Sequence, residues 1–272
     1  MKRQILLHVG SPKCGSTYLQ QVMLKNRAAL LDQGIHYPKP PGNHPGNAAD
    51  LKDIDAARLT ALFEGQSHTV VLSHEDLYAL PQHGRALADL AQREGISVQV
   101  IAFLRPFSEF MFGDYSQFMK QQFEPWLSAR NPYDGLDFDA FTRRRAAMIK
   151  PAAYLRGWAR LFPEAPPVIA SHRAIRTTLE GLLGADTGID WEVNRNLTNP
   201  SLRMEDCDAI AEAMRDPQVS PSEIRALLRA AFHRVTEFDA GKTQARIEMA
   251  EQAFAPQNAA LLRGFGYDNR RA

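Results

Sequence analysis

A chain of 272 residues is long enough for one sizeable α/β domain with a substantial core. Its 32 Lys and Arg balance 31 Asp and Glu to a net charge of +1, which argues against a chain built as a whole for nucleic acid or an anionic membrane, so any anion site must be local. Two cysteines, Cys14 and Cys207, are too few for a disulfide framework or a cysteine zinc site, which favours a reducing compartment.

Met1-Lys2-Arg3 leads into an apolar run, Gln4–Val9, too short for a signal-peptide core or a membrane span. It is read as the first strand of a soluble, cytoplasmic protein. The next residues keep the glycine spacing of a phosphate-binding P-loop at Gly10 and Gly15, but Ser16 stands where the lysine of a nucleoside triphosphate site belongs. The loop's only lysine is Lys13, after Pro12. Gly15-Ser16-Thr17 then opens a helix, whose first turn offers unpaired N–H groups and partial positive charge to an anion. Leu19, Val22, Met23 and Leu30 mark one apolar face of a helical stretch ending near Gly34. Residues 36–47 carry too much proline and glycine for regular structure, and read as a substrate-facing loop or a plain surface connection. A further helical stretch is expected over about Ala48 to Phe63.

Thr69–Ser73, Ser97–Leu104 and Pro167–Ser171 are three more strand-like runs separated by helical periodicity, the pattern of a parallel sheet. After the third strand Pro106 suits a helix start, and Phe107, Phe110, Met111, Tyr115, Phe118 and Met119 form its apolar stripe. Asp114 lies on that stripe, where a buried carboxylate needs a partner. Phe123 to Arg145 reads as irregular and aromatic, with the basic triplet Arg143-Arg144-Arg145 at its end. A helix with Tyr154, Leu155, Trp158 and Phe162 inward precedes the fourth strand. Beyond Asn194 the pattern is helical, with a capping box at Ser220-Pro221-Ser222-Glu223. The expected organisation is a single domain over 1–272, with about 203–272 as a helical C-terminal extension packed on it.

Ligands of open parallel sheets bind beyond the carboxyl ends of the strands. Four segments qualify: the loop Gly10–Thr17, then Ser73-His74-Glu75, then Arg105 with the helix behind it, and Ser171-His172-Arg173. Lys13 supplies a mobile point charge and Arg105 a planar fork for an oxyanion, so two anion grips imply a ligand with two phosphate-like groups.

Pro12-Lys13-Cys14-Gly15-Ser16-Thr17 resembles the 5′-phosphosulfate loop of sulfotransferases, and Leu104-Arg105 followed by a helix resembles their 3′-phosphate segment. His8, Val71-Leu72-Ser73-His74-Glu75, Tyr115-Ser116-Gln117 and Trp158 to Phe162 extend the similarity to small bacterial sulfotransferase-like proteins. The resemblance implies a P-loop-type three-layer α/β sandwich with a central parallel sheet of about four to five strands. It also implies transfer of a sulfuryl group from 3′-phosphoadenosine 5′-phosphosulfate (PAPS), as co-substrate and without a metal, to a hydroxyl or amine of a small-molecule, carbohydrate or lipid acceptor. Ser11 to Thr17 and Arg105 would bind the donor. The family serine eight residues after the arginine is Gly113 here, with Ser116 one turn on as a substitute and Ser108 as a poorer one; Arg105 is also followed directly by Pro106.

On that reading Lys13 neutralises charge on the bridging oxygen as the S–O bond breaks. The acceptor needs a general base. Glu75 is the first choice, against a competing role as a helix-start carboxylate; His74 is adjacent, His44 could arrive on the loop, and His8 is more often a core histidine. Cys14 is read as a small loop filler, although a helix N-terminus could make it reactive. Two other functions compete: a P-loop kinase or NTPase, which lacks a lysine after Gly15, and a non-catalytic nucleotide-binding protein.

Overall fold

The computed structural model describes residues 2–63, 65–184, 187–194 and 199–270, so Met1 and residues 195–198 of the expected helical stretch lie outside it. Each apolar run expected as a strand is one. They are β1 (Gln4–His8), β3 (Thr69–Ser73), β4 (Ser97–Leu104) and β5 (Val168–Ser171), joined by a two-residue edge strand, β2 (Ile35–His36), which periodicity did not reveal. All pairings are parallel, in the order β2-β3-β1-β4-β5. Ile5, Leu6 and Leu7 are all buried, so both faces of β1 are covered, as a central parallel strand requires.

Contacts divide the chain into two compact units. The first comprises residues 1–105, 151–198 and 264–267 and carries the sheet with α1 (Ser16–Lys25), α2 (Arg27–Leu31), α3 (Ala56–Leu62), α4 (Arg85–Glu94), α7 (Pro151–Leu161) and α8 (Ile175–Leu183). Leu6, Val71, Ile101 and Phe103 from one sheet face form a core with Leu19, Val22 and Met23 of α1, Leu30 of α2, and Ile175 and Leu179 of α8. Burying each such side chain stabilises the fold by roughly 1.5–3 kcal/mol.

The stretch after β1 is two helices, not one. Asn26 leaves the helical conformation between them; its amide donates to the Val22 and Asp190 carbonyls and its Oδ1 accepts the Asp190 N–H. The expected helix over 48–63 is likewise shorter. Ile54 is extended, and Asp55 starts α3 by accepting the Arg58 N–H at 2.7 Å, with only a 3₁₀ turn, Leu51–Asp53, before it.

The second unit comprises 106–150, 199–263 and 268–272: α5 (Phe107–Ala129), α6 (Phe138–Met148), α9 (Met204–Arg215), α10 (Pro221–His233), α11 (Gln244–Ala253) and most of α12 (Ala255–Phe265). The C-terminal helices therefore group with α5 and α6, against which α9 and α11 pack. Phe107 of α5 stacks on Phe254 at 4.5 Å. The region from Phe123 to Arg145 is mostly helical rather than irregular: α5 runs on through Pro125 to Ala129, and Asp137 caps α6 by accepting the Ala140 N–H. The capping box at Ser220 and Glu223 is present. Among the described residues no helix is long and apolar enough to cross a membrane.

Candidate active site

In a sheet ordered β2-β3-β1-β4-β5, the chain leaves β1 toward β2 and leaves β4 toward β5. The crevice of such a sheet opens between the two strands whose connections diverge, beyond their carboxyl ends. The loop after β1 and Arg105, directly after β4, flank that crevice in the first unit.

Three residues of the loop have positive φ: Gly10 (84°), Lys13 (62°) and Gly15 (91°). For Lys13 the left-handed region costs roughly 1–2 kcal/mol, and such strain persists where the surroundings enforce it. Cys14 between them keeps negative φ, so the sign alternates over 13–15, which curls successive N–H groups into a concave anion-binding nest. Cys14 is buried and its N–H donates to the Ser11 carbonyl at 3.3 Å, closing the turn. Gly15 precedes α1 in the left-handed conformation, and no side chain caps the first turn. Ser16 Oγ and, one turn along the same face, Gln20 Oε1 are buried with no hydrogen-bond partner among the described residues. A buried polar atom left this way costs about 1–3 kcal/mol unless something else satisfies it.

A second polar group extends from β1 to β3. The register pairs His8 with Ser73, and the His74 N–H donates to the His8 carbonyl, so Gly10 comes to lie beside Glu75. A Cβ on Gly10 would stand 2.4 Å from Glu75 Cα, so the residue has to be glycine twice over, for space and for φ. Gln20 Nε2 of α1 ties that helix to the end of β3, donating to Ser73 Oγ at 3.1 Å and to Glu75 Oε2 at 3.0 Å. Ser73 Oγ also lies 2.8 Å from His8 Nδ1. Burial holds the His8 ring down at about 4, against a smaller opposing pull from Glu75, so it is neutral at ordinary pH.

Glu75 Oε1 meets His44 Nε2 at 3.2 Å, and the Gly46 N–H donates to His44 Nδ1 at 3.0 Å. That second bond fixes the ring proton on Nε2, facing the carboxylate. Burial works against the charged form of Glu75. The hydrogen bond from Gln20, one within its own backbone, and the nearby His44 and His74 outweigh it, holding the carboxyl below its ordinary range. His74 is buried, accepts the Asp76 N–H through Nδ1 as the cap of the turn Glu75–Leu77, and packs its ring 4.8 Å from that of His44.

The proline- and glycine-rich loop is clamped at its far end by Asn47. This buried amide donates to the Val71 and Pro38 carbonyls and accepts the Ser73 N–H, while its own N–H donates to the Ser73 carbonyl. The exposed part, Lys39 to His44, is thereby held over the end of β3.

No protein-family model matches the chain, and no curated protein is significantly similar to it in sequence. The remaining expected donor residues, Gly113 and Ser116, lie on α5 in the second unit, and both are buried. Ser116 Oγ accepts the Leu202 N–H at 2.7 Å. Ser108 is also buried, donating from both N–H (2.9 Å) and Oγ (2.6 Å) to Glu251 Oε1, so an internal carboxylate already caps the first turn of α5. Asp114, the acid on the apolar stripe, accepts from Arg145 Nε at 2.7 Å. No motif in the sequence marks Gln20 or Asn47. The only trace of Gln20 is its position four residues after Ser16 within an apolar pattern; Asn47, at the end of an aperiodic loop, leaves none.

Proposed function

We propose that the protein is a sulfotransferase that moves a sulfuryl group from PAPS to a hydroxyl or amine, built on a P-loop-type three-layer α/β fold. The observation that carries this reading is the loop after β1: alternating φ over 13–15, an uncapped α1 and the orphaned Ser16 Oγ form a nest for a doubly charged oxyanion beside the displaced Lys13. Those features fit the 5′-phosphosulfate end of the donor. Support at the 3′ end comes from Arg105, which follows the strand beside β1.

PAPS supplies an activated sulfuryl group on a bridging oxygen. Loop N–H groups and the Ser16 and Thr17 hydroxyls would hold the 5′-phosphate, and Lys13 would neutralise the charge that grows on the bridging oxygen. Preorganised donors of this kind are worth about 3–4 kcal/mol each. Glu75, ionised across the neutral range, would take the acceptor's proton, with Gln20 and His44 orienting its two oxygens. His74 would act through His44, as a positioning residue.

A non-catalytic nucleotide-binding role is the second reading, because Gly113 stands on α5 where the resembled family places a serine, while the loop after β1 keeps its features for the 5′ end. Incubation with ³⁵S-labelled PAPS and a panel of sugars, phenols, amines and lipids separates the two. The sulfotransferase reading predicts label in at least one acceptor, with the rate falling roughly a hundred-fold or more in Lys13→Ala. Binding of the nucleotide without transfer to any acceptor would favour the non-catalytic role.

A further inference from the structure

Between α5 and α6 of the second unit lies a cavity of about 250 Å³ to which no role has been assigned. Its walls follow from helical spacing: Phe118 and Trp126 recur along one face of α5, and Phe141, Arg144 and Arg145 along one face of α6. We propose that this cavity binds a small planar aromatic anion, the ring lying among Phe118, Trp126, Tyr133 and Phe141 and the anionic oxygens on Arg144. The proposal is independent of the donor reading.

Three observations converge on it. The aromatic walls are prearranged: Phe118 and Phe141 meet edge to face at 5.3 Å, and Trp126 tilts against Tyr133 at 4.6 Å. Such surfaces hold a flat ring by offset or edge contacts.

The two guanidinium groups differ in what they can offer. Arg145 is committed, with Nε on the buried Asp114 carboxylate at 2.7 Å and its charge 5.2 Å over the Phe118 ring. Among the described residues Arg144 pairs only with Asp134, at 3.1 Å, and both are more than half exposed, so that pair contributes little and exchanges readily. A ligand carboxylate on the guanidinium fork would gain a charge-assisted bond in place of it.

The wall opposite is strained. Tyr133 (φ 55°) and Asp134 (φ 56°) are both left-handed, followed by Gly135 at 78°. Two consecutive non-glycine residues there cost roughly 1–2 kcal/mol each, and backbone strain of this kind gathers at functional sites. Here it is enforced by the Tyr133 ring stacked 3.7 Å from Tyr115 and by its hydroxyl donating to the Tyr115 carbonyl. The strained turn is what brings Asp134 to Arg144.

Titration of the full chain with 2-naphthoate and with its neutral isostere 2-naphthamide, followed by calorimetry, tests the proposal. Naphthoate should bind about tenfold tighter than the amide. Arg144→Gln, at an exposed position that leaves the melting temperature unchanged, should abolish that preference. Asp134→Asn removes the competing acid and keeps a residue that tolerates positive φ, so it should tighten naphthoate several-fold. Equal affinity for acid and amide, a preference that survives Arg144→Gln, or no binding of either would overturn it.

Discussion

Gly10 offers a graded test of how the phosphate-type loop is seated. An added Cβ would stand 2.4 Å from Glu75 Cα and 3.0 Å from the Glu75 carbonyl oxygen, both backbone atoms that cannot rotate away, and φ is +84°. Two other glycines separate these effects: Gly65 has positive φ (71°) with nothing within 4 Å of the added atom, and Gly42 has neither constraint. Gly42→Ala should change stability by no more than about 0.5 kcal/mol. Gly65→Ala should cost about 1–2 kcal/mol, the strain alone. Gly10→Ala adds an overpacking cost of about 1–3 kcal/mol to the same strain, roughly 2–5 kcal/mol in all. At about 2–4 °C per kcal/mol for a chain of this size, that is a fall in melting temperature of roughly 4–20 °C. Thermal and urea unfolding of the three variants reads the series directly. If Gly10→Ala loses no more than Gly65→Ala, the loop is not packed on Glu75 as described and the joint placement of nest and carboxylate fails.

Three further outcomes follow from the polar group around β1 and β3. The His8 ring sits at about 4 when folded against 6.5 unfolded, so the fold holds its neutral form. The contribution is complete above pH 6.5 and declines as pH falls to about 4, by about 3 kcal/mol; an imidazole NMR titration should show no midpoint for His8 above pH 5, and one near 6.5 would contradict its burial. Asn47→Ala should cost about 1–3 kcal/mol by leaving the Ser73 N–H unpaired. It should also speed amide hydrogen exchange over Gly42 to Gly46, and unchanged exchange would show that the clamp does not hold the loop. Gln20→Leu removes the hydrogen bond that does most to keep the Glu75 carboxyl low. The acid limb of the pH–rate profile should therefore move to higher pH, and a limb that stays put would take Glu75 out of the proton-transfer role.

The sheet was legible because its central strands are buried on both faces and so read as unbroken aliphatic runs, correct at Thr69–Ser73 and Ser97–Leu104 and within a residue at Gln4–His8. The two-residue strand Ile35–His36 was not, since its pairing depends on β3 rather than on any period of its own. Helix limits failed where a side chain makes a bond that local pattern does not encode. Asn26 reaches Asp190 far along the chain, and the Asp55 cap starts α3 at Ala56, well after the expected start near Ala48. The aromatic stretch after Phe123 misled in the opposite direction, because Pro125 lies within a helix whose packing with α9 and α11 keeps it intact. In the site, the glycine spacing announced the loop, since positive φ at 10 and 15 demands that residue type. The union of Gln20, Ser73, Glu75 and His44 was hidden, because it arises only when β1 and β3 come together in register. The left-handed Tyr133 was equally hidden, as tyrosine gives no hint of positive φ.

The most direct measurement of the central claim is the thermal stability of the full chain with adenosine 3′,5′-bisphosphate, with Mg²⁺-ATP, and with neither. At about 100 times its Kd a ligand of the native state adds about 2.7 kcal/mol, or roughly 5–10 °C here. A displaced lysine in a nest that grips a bisphosphate nucleotide predicts that shift with the bisphosphate and its loss in Lys13→Ala. Stabilisation by Mg²⁺-ATP alone would contradict the account.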